Sequence, residues 1–302
     1  MPTPSTNRLA LSYELFPPRS MAAGNLWTTI RELESTAPDY VSVTYGANGG
    51  NHDTALTLLS ELVGRTTLRP LAHLTCVGGT RNSLRRTVTD LLDLGVRGVL
   101  ALRGDIPDGY VPPDGAVDHA VDLIELIRDV ERGNAAQLAA GRIAVGAAAY
   151  PTRHPESATW QQDIEVLAAK QAAGADFAIT QVFFDASRYA ALVRRARDAG
   201  VTIPIIPGIL PMTSLRRVRT LARLAGIDPP ARLCRRLAHA GSEADARRIG
   251  VDATVGLLRA ALDVGAPGLH LYTFNQHSSA LAVLDALNLP ARNGAPTESE
   301  IA

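Results

Sequence analysis

The sequence of 302 residues has few cysteines, few aromatic residues and a single lysine, and it has no excess of either charge. Its two cysteines, Cys76 and Cys234, form no CxxC pair, which excludes a disulfide scaffold and favours a reduced cytoplasmic protein. Thirty basic and thirty acidic residues cancel, so no net field is available to hold nucleic acid or an anionic membrane. We therefore expect neither as a partner.

Long apolar runs are also missing. No stretch approaches the roughly 20 residues that a membrane-spanning helix requires. The N-terminus lacks the basic region, the apolar region and the cleavage site of a signal peptide. Hydrophobic residues nevertheless make up 46% of the chain, which is enough to bury a large core. These features predict a globular protein located in the cytoplasm.

Short β-rich apolar runs do occur, and helical patterns fill the intervals between them. We predict eight strands: Leu9–Leu15, Tyr40–Tyr45, Pro70–Thr75, Gly98–Leu102, Ile143–Ala149, Phe177–Phe183, Ile203–Ile209 and Leu269–Phe274. Most of these runs are almost continuously apolar, which is typical of strands buried on both faces of a parallel sheet. The alternation predicts an α/β fold, a single (β/α)8 TIM-type barrel over residues 1–290, followed by a flexible tail at 291–302.

An open, doubly wound sheet is the alternative fold. It would be favoured by a GxGxxG turn after the first strand, but Phe16-Pro17-Pro18-Arg19 stands there. The barrel also predicts where function lies, because active sites of this fold form at the carboxyl ends of the strands. Polar residues stand at or near these ends: Glu14, Thr44, His73, Arg103, Asp105, Tyr150, His154, Gln181 and Tyr272. An unpaired buried polar group costs about 1–3 kcal/mol, so these residues need partners or a function.

Seven segments, in this order, resemble the bacterial 5,10-methylenetetrahydrofolate reductases. They are Tyr13-Glu14-Leu15-Phe16-Pro17-Pro18-Arg19, Val41-Ser42-Val43-Thr44-Tyr45-Gly46, Ala72-His73-Leu74-Thr75-Cys76, Ala101-Leu102-Arg103-Gly104-Asp105, Ala149-Tyr150-Pro151 with His154-Pro155-Glu156, Thr180-Gln181-Val182-Phe183-Phe184-Asp185 and Pro207-Gly208-Ile209-Leu210-Pro211. The resemblance runs from about residue 9 to 289 and is to the short, barrel-only form. It implies non-covalent FAD, NADH or NADPH as hydride donor, and ping-pong reduction of 5,10-methylenetetrahydrofolate to 5-methyltetrahydrofolate in one-carbon metabolism. It also implies a homo-oligomer.

The resemblance assigns roles to individual residues. Glu14 would protonate the folate at N10, and Asp105 would lie beside the flavin ring. The residues implied to contact FAD are Thr44, His73, Arg103, Gly104, Asp105, His119, Ala120, Tyr150, His154, Asp163 and Lys170. The residues implied to contact the substrates are Glu14, Gln181, Leu215, Tyr272 and Phe274. Gln181 would serve both substrates, and Leu215 stands where some relatives have a stacking phenylalanine. We expect no metal site.

Structural roles also fit several of these positions when they are considered one by one. Glu14 fits an ion pair with an arginine, and His73 fits a core histidine. Asp105 fits an N-cap or an ion pair with Arg103, and Lys170 fits an ordinary surface residue. Other functions remain as alternatives too. They are a different FAD-barrel oxidoreductase of the proline dehydrogenase kind, a flavin-free folate reductase, and a non-catalytic folate- or flavin-binding protein.

Overall fold

A computed structural model describes residues 9–18, 25–44, 52–136, 138 and 141–288. The strands are β1 Ala10–Leu15, β2 Tyr40–Val43, β3 Pro70–Thr75, β4 Gly98–Leu102, β5 Ala144–Ala149, β6 Phe177–Thr180, β7 Ile205–Ile206, β8 Gly208–Ile209 and β9 Gly268–Tyr272. The helices are α1 Asn25–Glu34, α2 His52–Arg65, α3 Arg81–Asp93, α4 Ala120–Gly133, α5 Trp160–Ala172, α6 Ala186–Asp198, α7 Leu215–Leu224, α8 Ala231–Ala238, α9 Glu243–Asp263 and α10 His277–Leu287. The predicted tail at 291–302 lies outside the described residues, so the domain division at residue 290 stays a prediction.

All the strands are parallel and form one sheet in the order β7-β6-β5-β4-β3-β2-β1-β9-β8. The two outermost strands of this order, β7 and β8, are separated in sequence only by Pro207. Residues 205–209 therefore pair with β6 on one side and with β9 on the other. The sheet closes on itself, and the predicted (β/α)8 barrel is confirmed.

The predicted strand Ile203–Ile209 differs from the structure in one respect. It is present as the two short segments β7 and β8, because Pro207 has no N–H to donate to a ladder. The Pro207 carbonyl still accepts a hydrogen bond from the His270 backbone N–H at 3.0 Å. The seventh strand of the barrel is thus divided into two halves, of which β7 pairs with β6 and β8 pairs with β9.

Gly208 permits this closure by allowing a close approach of three strands. Its N–H donates to Thr180 Oγ1 at 2.9 Å. A Cβ at this position would lie 2.7 Å from the Tyr272 hydroxyl oxygen, which itself donates to the Thr180 carbonyl at 2.8 Å. Any side chain at 208 would therefore push β6 and β9 apart at the carboxyl end of the barrel.

Apolar side chains fill the barrel interior between its polar groups. Leu71, Leu100 and Ile179 form a small buried cluster, flanked by the rings of Tyr40 and Phe177. A much larger core lies between the outer face of the sheet and the helices. None of the helices in the described part of the chain combines the length and the hydrophobicity that crossing a bilayer requires.

Candidate functional site

The residues that the sequence singled out converge on one end of the barrel. Glu14 and Tyr272 lie near the carboxyl ends of the neighbouring strands β1 and β9, where they pair with each other in the ladder. Immediately after their strands come Thr44, Arg103, Gly104, Asp105, Tyr150 and Gln181. Because the strands are parallel, all these carboxyl ends open on the same side. This end is called the mouth below.

Glu14 is the buried carboxyl of the mouth, with 9% of its surface exposed. Among the described residues no group donates a hydrogen bond to its carboxylate, and the nearest cation-forming group is His73 Nε2 at 3.7 Å. Burial raises the pKa of Glu14 to about 8 and lowers the pKa of His73 to about 4. At pH 7 the pair is therefore a protonated acid beside a neutral imidazole, which is not a salt bridge.

His73 also carries an unsatisfied atom. Its Nε2 is buried without a hydrogen-bond partner in the part of the chain that the structure describes. The second buried histidine of the barrel, His270, instead contacts Ser12 Oγ through Nδ1 at 2.8 Å. Buried polar atoms are normally paired, so Nε2 of His73 is available to bind a ligand.

A second buried group reaches the mouth from a helix. Lys170 lies in the last turn of α5, far from the mouth, but helical side chains point back towards the helix N-terminus. Its amine donates to the Ala148 carbonyl at 2.9 Å and lies 5.9 Å from the centre of the Tyr150 ring. Burial lowers the pKa of Lys170 to about 8, while the Asp163 carboxylate opposes the shift. The possibility of an ordinary surface lysine is wrong for this position.

The loop after β5 is organised around Asp163, near the start of α5. Its Oδ1 accepts from the Ser157 hydroxyl at 2.6 Å, and its Oδ2 accepts from the His154 backbone N–H at 3.1 Å. The His154 ring meets the Tyr150 ring edge-on with centroids 4.7 Å apart. Asp163 therefore orders the loop that carries His154, next to the buried amine of Lys170.

Arg103 forms an ion pair that the sequence did not indicate. Its guanidinium makes two parallel hydrogen bonds to Glu156, at 2.5 and 2.6 Å. This pair raises the pKa of Arg103 and lowers the pKa of Glu156. Asp105 is exposed and makes no ion pair among the described residues, so the alternative of an Arg103–Asp105 pair is wrong. Gly104 between them has φ +87° and packs against Thr75.

Three of the expected substrate-side residues end or follow β6 and β9, the strands that flank residues 205–209, and the fourth lies on α7. Gln181 is half-buried, and its side-chain oxygen accepts from the neighbouring Val182 N–H at 2.8 Å. Tyr272 donates to the Thr180 carbonyl, and burial raises its pKa well above 10, with a further contribution from Glu14. Phe274 stacks on Phe16 with ring centroids 5.6 Å apart. Leu215 is the first residue of α7, and its side chain packs against the core between the sheet and the helices.

The remaining expected contacts border the mouth. Thr44 stays close to β1, since its N–H donates to the Leu15 carbonyl at 3.0 Å. His119 caps the N-terminus of α4 and is exposed, whereas Ala120 is buried. The segment before them is tied to the loop after β3, where the Tyr110 hydroxyl accepts from Gly78 N–H at 2.9 Å.

Four further side chains contact the predicted site residues, and the sequence did not predict these contacts. Glu156 and Ser157 are the partners of Arg103 and Asp163, and Thr273 and Asn275 bind the backbone of the β1 end. The position of Thr273 and Asn275 directly after the last strand was a usable signal. The pairings of Glu156 and Ser157 depend on a loop conformation that no local pattern encodes.

The mouth contains polar groups that could hold an anionic cofactor. Two of its buried polar groups, His73 Nε2 and the Lys170 amine, have too few protein partners for their burial. Arg103 adds a planar cation at the rim, which suits phosphate or ribose oxygens. Within the described ranges, no three His, Cys, Asp or Glu side chains cluster in a way that would hold a metal ion.

Comparisons with known proteins agree with this geometry. The family model described as methylenetetrahydrofolate reductase matches residues 3–288. The 5,10-methylenetetrahydrofolate reductases of Salmonella typhimurium and Escherichia coli are each 33% identical over 284 residues, covering 93% of this chain and 92% of the relative. A probable methylenetetrahydrofolate reductase (NADPH) of Caenorhabditis elegans is 32% identical and matches 92% of this chain, which spans 42% of that longer protein.

Solved structures show the same fold at lower identity. An uncharacterised protein from Clostridium thermocellum, which binds two copies of 5-methyl-5,6,7,8-tetrahydrofolic acid, superposes with a TM-score of 0.60 at 14% identity. The match covers 92% of this chain and 93% of that protein. The similarity to this solved structure shows the fold alone. The family model and the sequence matches to the reductases extend over almost all of the described residues. This chain belongs to the methylenetetrahydrofolate reductase family.

Proposed function

We propose that this protein reduces 5,10-methylenetetrahydrofolate to 5-methyltetrahydrofolate, with non-covalently bound FAD and with NADH or NADPH as the hydride donor. The observation that carries the proposal is Glu14, a buried carboxyl that stays protonated at neutral pH at the mouth of the barrel. The methylene bridge of this folate must open before a hydride can be added, and opening requires a proton at N10. A carboxylic acid with a raised pKa is suited to donate it.

The protein supplies binding and protons, while FAD, when bound, supplies the hydride chemistry. Glu14 would give its proton to N10 of the folate. His73 Nε2, which lacks a protein partner, would bind the cofactor, and Asp105 would contribute a negative charge at the exposed rim. Arg103 and Lys170 would hold the phosphates or the ribose of FAD.

The remaining contacts follow the same arrangement. Thr44, Gly104, His119, Ala120, Tyr150, His154 and Asp163 would complete the cofactor site, and Gln181, Leu215, Tyr272 and Phe274 would face the two substrates. A single amide at Gln181 can donate to one ring system and accept from the other. If NAD(P)H and the folate use one position in turn, initial-rate lines at different co-substrate concentrations will run parallel, as ping-pong kinetics requires. Related enzymes whose names specify NADPH or NADH both occur, so this chain is proposed to use one of the two.

The alternatives differ from this proposal in their need for an acid, in their substrate or in their colour. A purely binding protein does not need an acid at N10, and a barrel oxidoreductase acting on another amine would not react with methylenetetrahydrofolate. A flavin-free reductase would keep Glu14, but its purified form would be colourless and unaffected by added FAD.

The test separates the two half-reactions of the purified holoenzyme by stopped-flow absorbance. Glu14→Gln keeps the shape of the side chain but cannot deliver a proton. We expect bleaching of the flavin by NADH or NADPH to stay within about tenfold of wild type, a barrier change of roughly 1.4 kcal/mol or less. The reaction with methylenetetrahydrofolate is expected to slow by ~10²–10⁴-fold, as is typical for loss of a general acid.

Glu125→Gln is the matched control, because Glu125 is an exposed glutamate on the surface of α4. It should leave both half-reactions unchanged. An equal loss in both half-reactions of Glu14→Gln would make Glu14 a structural residue. No loss in either would assign the proton to another group and overturn the proposal.

A further inference from the structure

The segment that follows β9 has an unusual backbone. Phe274 and Asn275 are consecutive residues with φ +50° and +55°, in the left-handed region. Asparagine is tolerated there, but a bulky aromatic residue is rare in this region. Such a conformation persists only where the surroundings hold it in place, and it is often found at functional sites. The contacts of this turn therefore indicate what it is built to hold.

Asn275 binds the backbone of Phe16 from both sides. Its side-chain Oδ1 accepts from the Phe16 N–H at 2.8 Å, and its Nδ2 donates to the Phe16 carbonyl at 2.8 Å. An amide side chain thus reproduces the pair of hydrogen bonds that a neighbouring strand would make. The pairing of β1 with β9 ends at Glu14 and Tyr272, and Asn275 continues it by two residues.

Thr273 holds the backbone of Glu14. Its hydroxyl donates to the Glu14 carbonyl at 2.6 Å and accepts from the Asn275 N–H at 3.1 Å. Thr29 of α1 fixes the turn from outside, because its hydroxyl donates to the Asn275 carbonyl at 3.2 Å. The Glu14 carbonyl and both Phe16 backbone groups are thereby bound to one turn, and the stacked rings of Phe16 and Phe274 cover it.

We propose that Asn275, acting with Thr273, is a positioning residue that fixes the direction and the enclosure of the Glu14 carboxyl at the mouth. The carboxyl has no hydrogen-bond donor of its own among the described residues. Its orientation is therefore set by the backbone that carries it, and this turn holds that backbone. The inference rests on the proposed function of Glu14 as the acid, but the contacts that support it are independent of that function.

The test uses holoenzyme variants of both residues. Asn275→Ala removes both bonds to Phe16, and Asn275→Asp keeps the acceptor but sets an oxygen against the Phe16 carbonyl. Thr273→Val removes the hydroxyl, and Thr273→Ser restores it. For Asn275→Ala, Asn275→Asp and Thr273→Val we expect the folate half-reaction to slow by ~10–100-fold. Flavin bleaching by NAD(P)H should stay within about threefold, and Thr273→Ser should behave like wild type.

The protonation of Glu14 provides a readout that a merely structural role would not move. The titratable groups facing it among the described residues are His73 from β3 and Tyr272 from β9. In Asn275→Ala the carboxyl gains access to water, so its titration midpoint should fall towards that of an ordinary glutamate. This midpoint is measured by ¹³C NMR of glutamate-labelled protein, with Glu14→Gln identifying the signal.

The outcomes separate this inference from the proposed function. An unchanged Glu14 midpoint, or an equal slowing of both half-reactions, would show that the turn only supports the fold and would overturn the inference. If the midpoint falls in Asn275→Ala while Glu14→Gln leaves folate reduction unchanged, the positioning role stands and the proposed acid role fails. A lower midpoint with a slowed folate half-reaction supports both.

Discussion

Arg128 and Lys170 are equally buried, each with 6% of its surface exposed, but their charged groups point towards opposite ends of the barrel. Arg128 binds residues that precede β5 and β6: it donates to the Ile143 and Gly174 carbonyls and pairs with Asp176 and Glu131 at 2.7 and 2.9 Å. Lys170 extends towards the mouth and makes a single hydrogen bond, to the Ala148 carbonyl, among the described residues. One cation is fully satisfied by protein, and the other is not.

The two buried histidines differ in the same way. His270 contacts Ser12, and burial lowers its pKa to about 3 without leaving Nδ1 unpaired. His73, one layer nearer the mouth, buries an unpaired Nε2 beside the Glu14 carboxyl. Burial alone therefore does not distinguish the members of these two pairs. The number of their protein partners does.

The largest expected effect concerns Glu14 and pH. Its folded pKa of about 8 lies above the value of 4.5 for an ordinary glutamate, so the folded protein binds the extra proton between these pH values. The stability that Glu14 contributes is present below pH 4.5 and is lost as the pH rises through 8. The free energy of unfolding of Glu14→Gln minus that of wild type should therefore rise as the pH is raised from 4.5 to 9. The expected rise is up to about 5 kcal/mol.

Urea unfolding of wild type, Glu14→Gln and Glu125→Gln at both pH values measures this difference. Groups common to all three proteins, including Lys170, cancel in the comparison. If the difference in unfolding free energy between Glu14→Gln and wild type does not change with pH, Glu14 titrates as an ordinary carboxyl. The contrast between the mouth and the opposite end of the barrel would then be lost.

Arg128→Met tests the end of the barrel opposite the mouth, where the buried cation is fully hydrogen-bonded by protein. It removes the buried partner of Asp176 and Glu131, which keep the exposed Arg142 beside them, and breaking a buried ion pair in this way costs at most about 3–5 kcal/mol. We expect this loss in the free energy of unfolding and no change in FAD affinity of the folded protein. Arg132→Met on the same helix is the control, since Arg132 is exposed and its loss should cost less than about 0.5 kcal/mol. Equal effects of the two variants would contradict the assigned role of Arg128.

The smallest change in stability is expected for Lys170, the buried cation near the mouth that makes a single hydrogen bond among the described residues. Lys170→Met keeps most of the packing and removes a charge whose burial is poorly compensated, so the unfolding free energy at pH 7 should stay within about 1 kcal/mol of wild type or rise. Its effect should appear in FAD affinity, which we expect to fall by about tenfold or more, equivalent to about 1.4 kcal/mol. Fluorescence titration of the apoprotein with FAD measures it. Unchanged affinity would place the amine outside the cofactor site.

Several levels of this structure could be predicted from particular residues. The apolar runs around Val41, Leu71 and Val99 predicted buried parallel strands, and the register pairs of β2, β3 and β4 confirm them. Thr80 caps α3, and the Ser83 hydroxyl accepts a hydrogen bond from the Thr80 N–H in return. Such a capping box involves two residues three apart, so the apolar periodicity of the helix does not by itself mark its first residue.

The sequence by itself determined the alternation of strands and helices, and with it the end of the barrel where polar residues gather. This information is local, because apolar periodicity and strand ends are read within a few residues. Only the tertiary structure decided that Lys170 is buried near Tyr150, that Arg103 pairs with Glu156, and that Asn275 holds Phe16 across 259 residues of sequence. Burial and partnership are properties of groups from distant segments, and no local pattern encodes them.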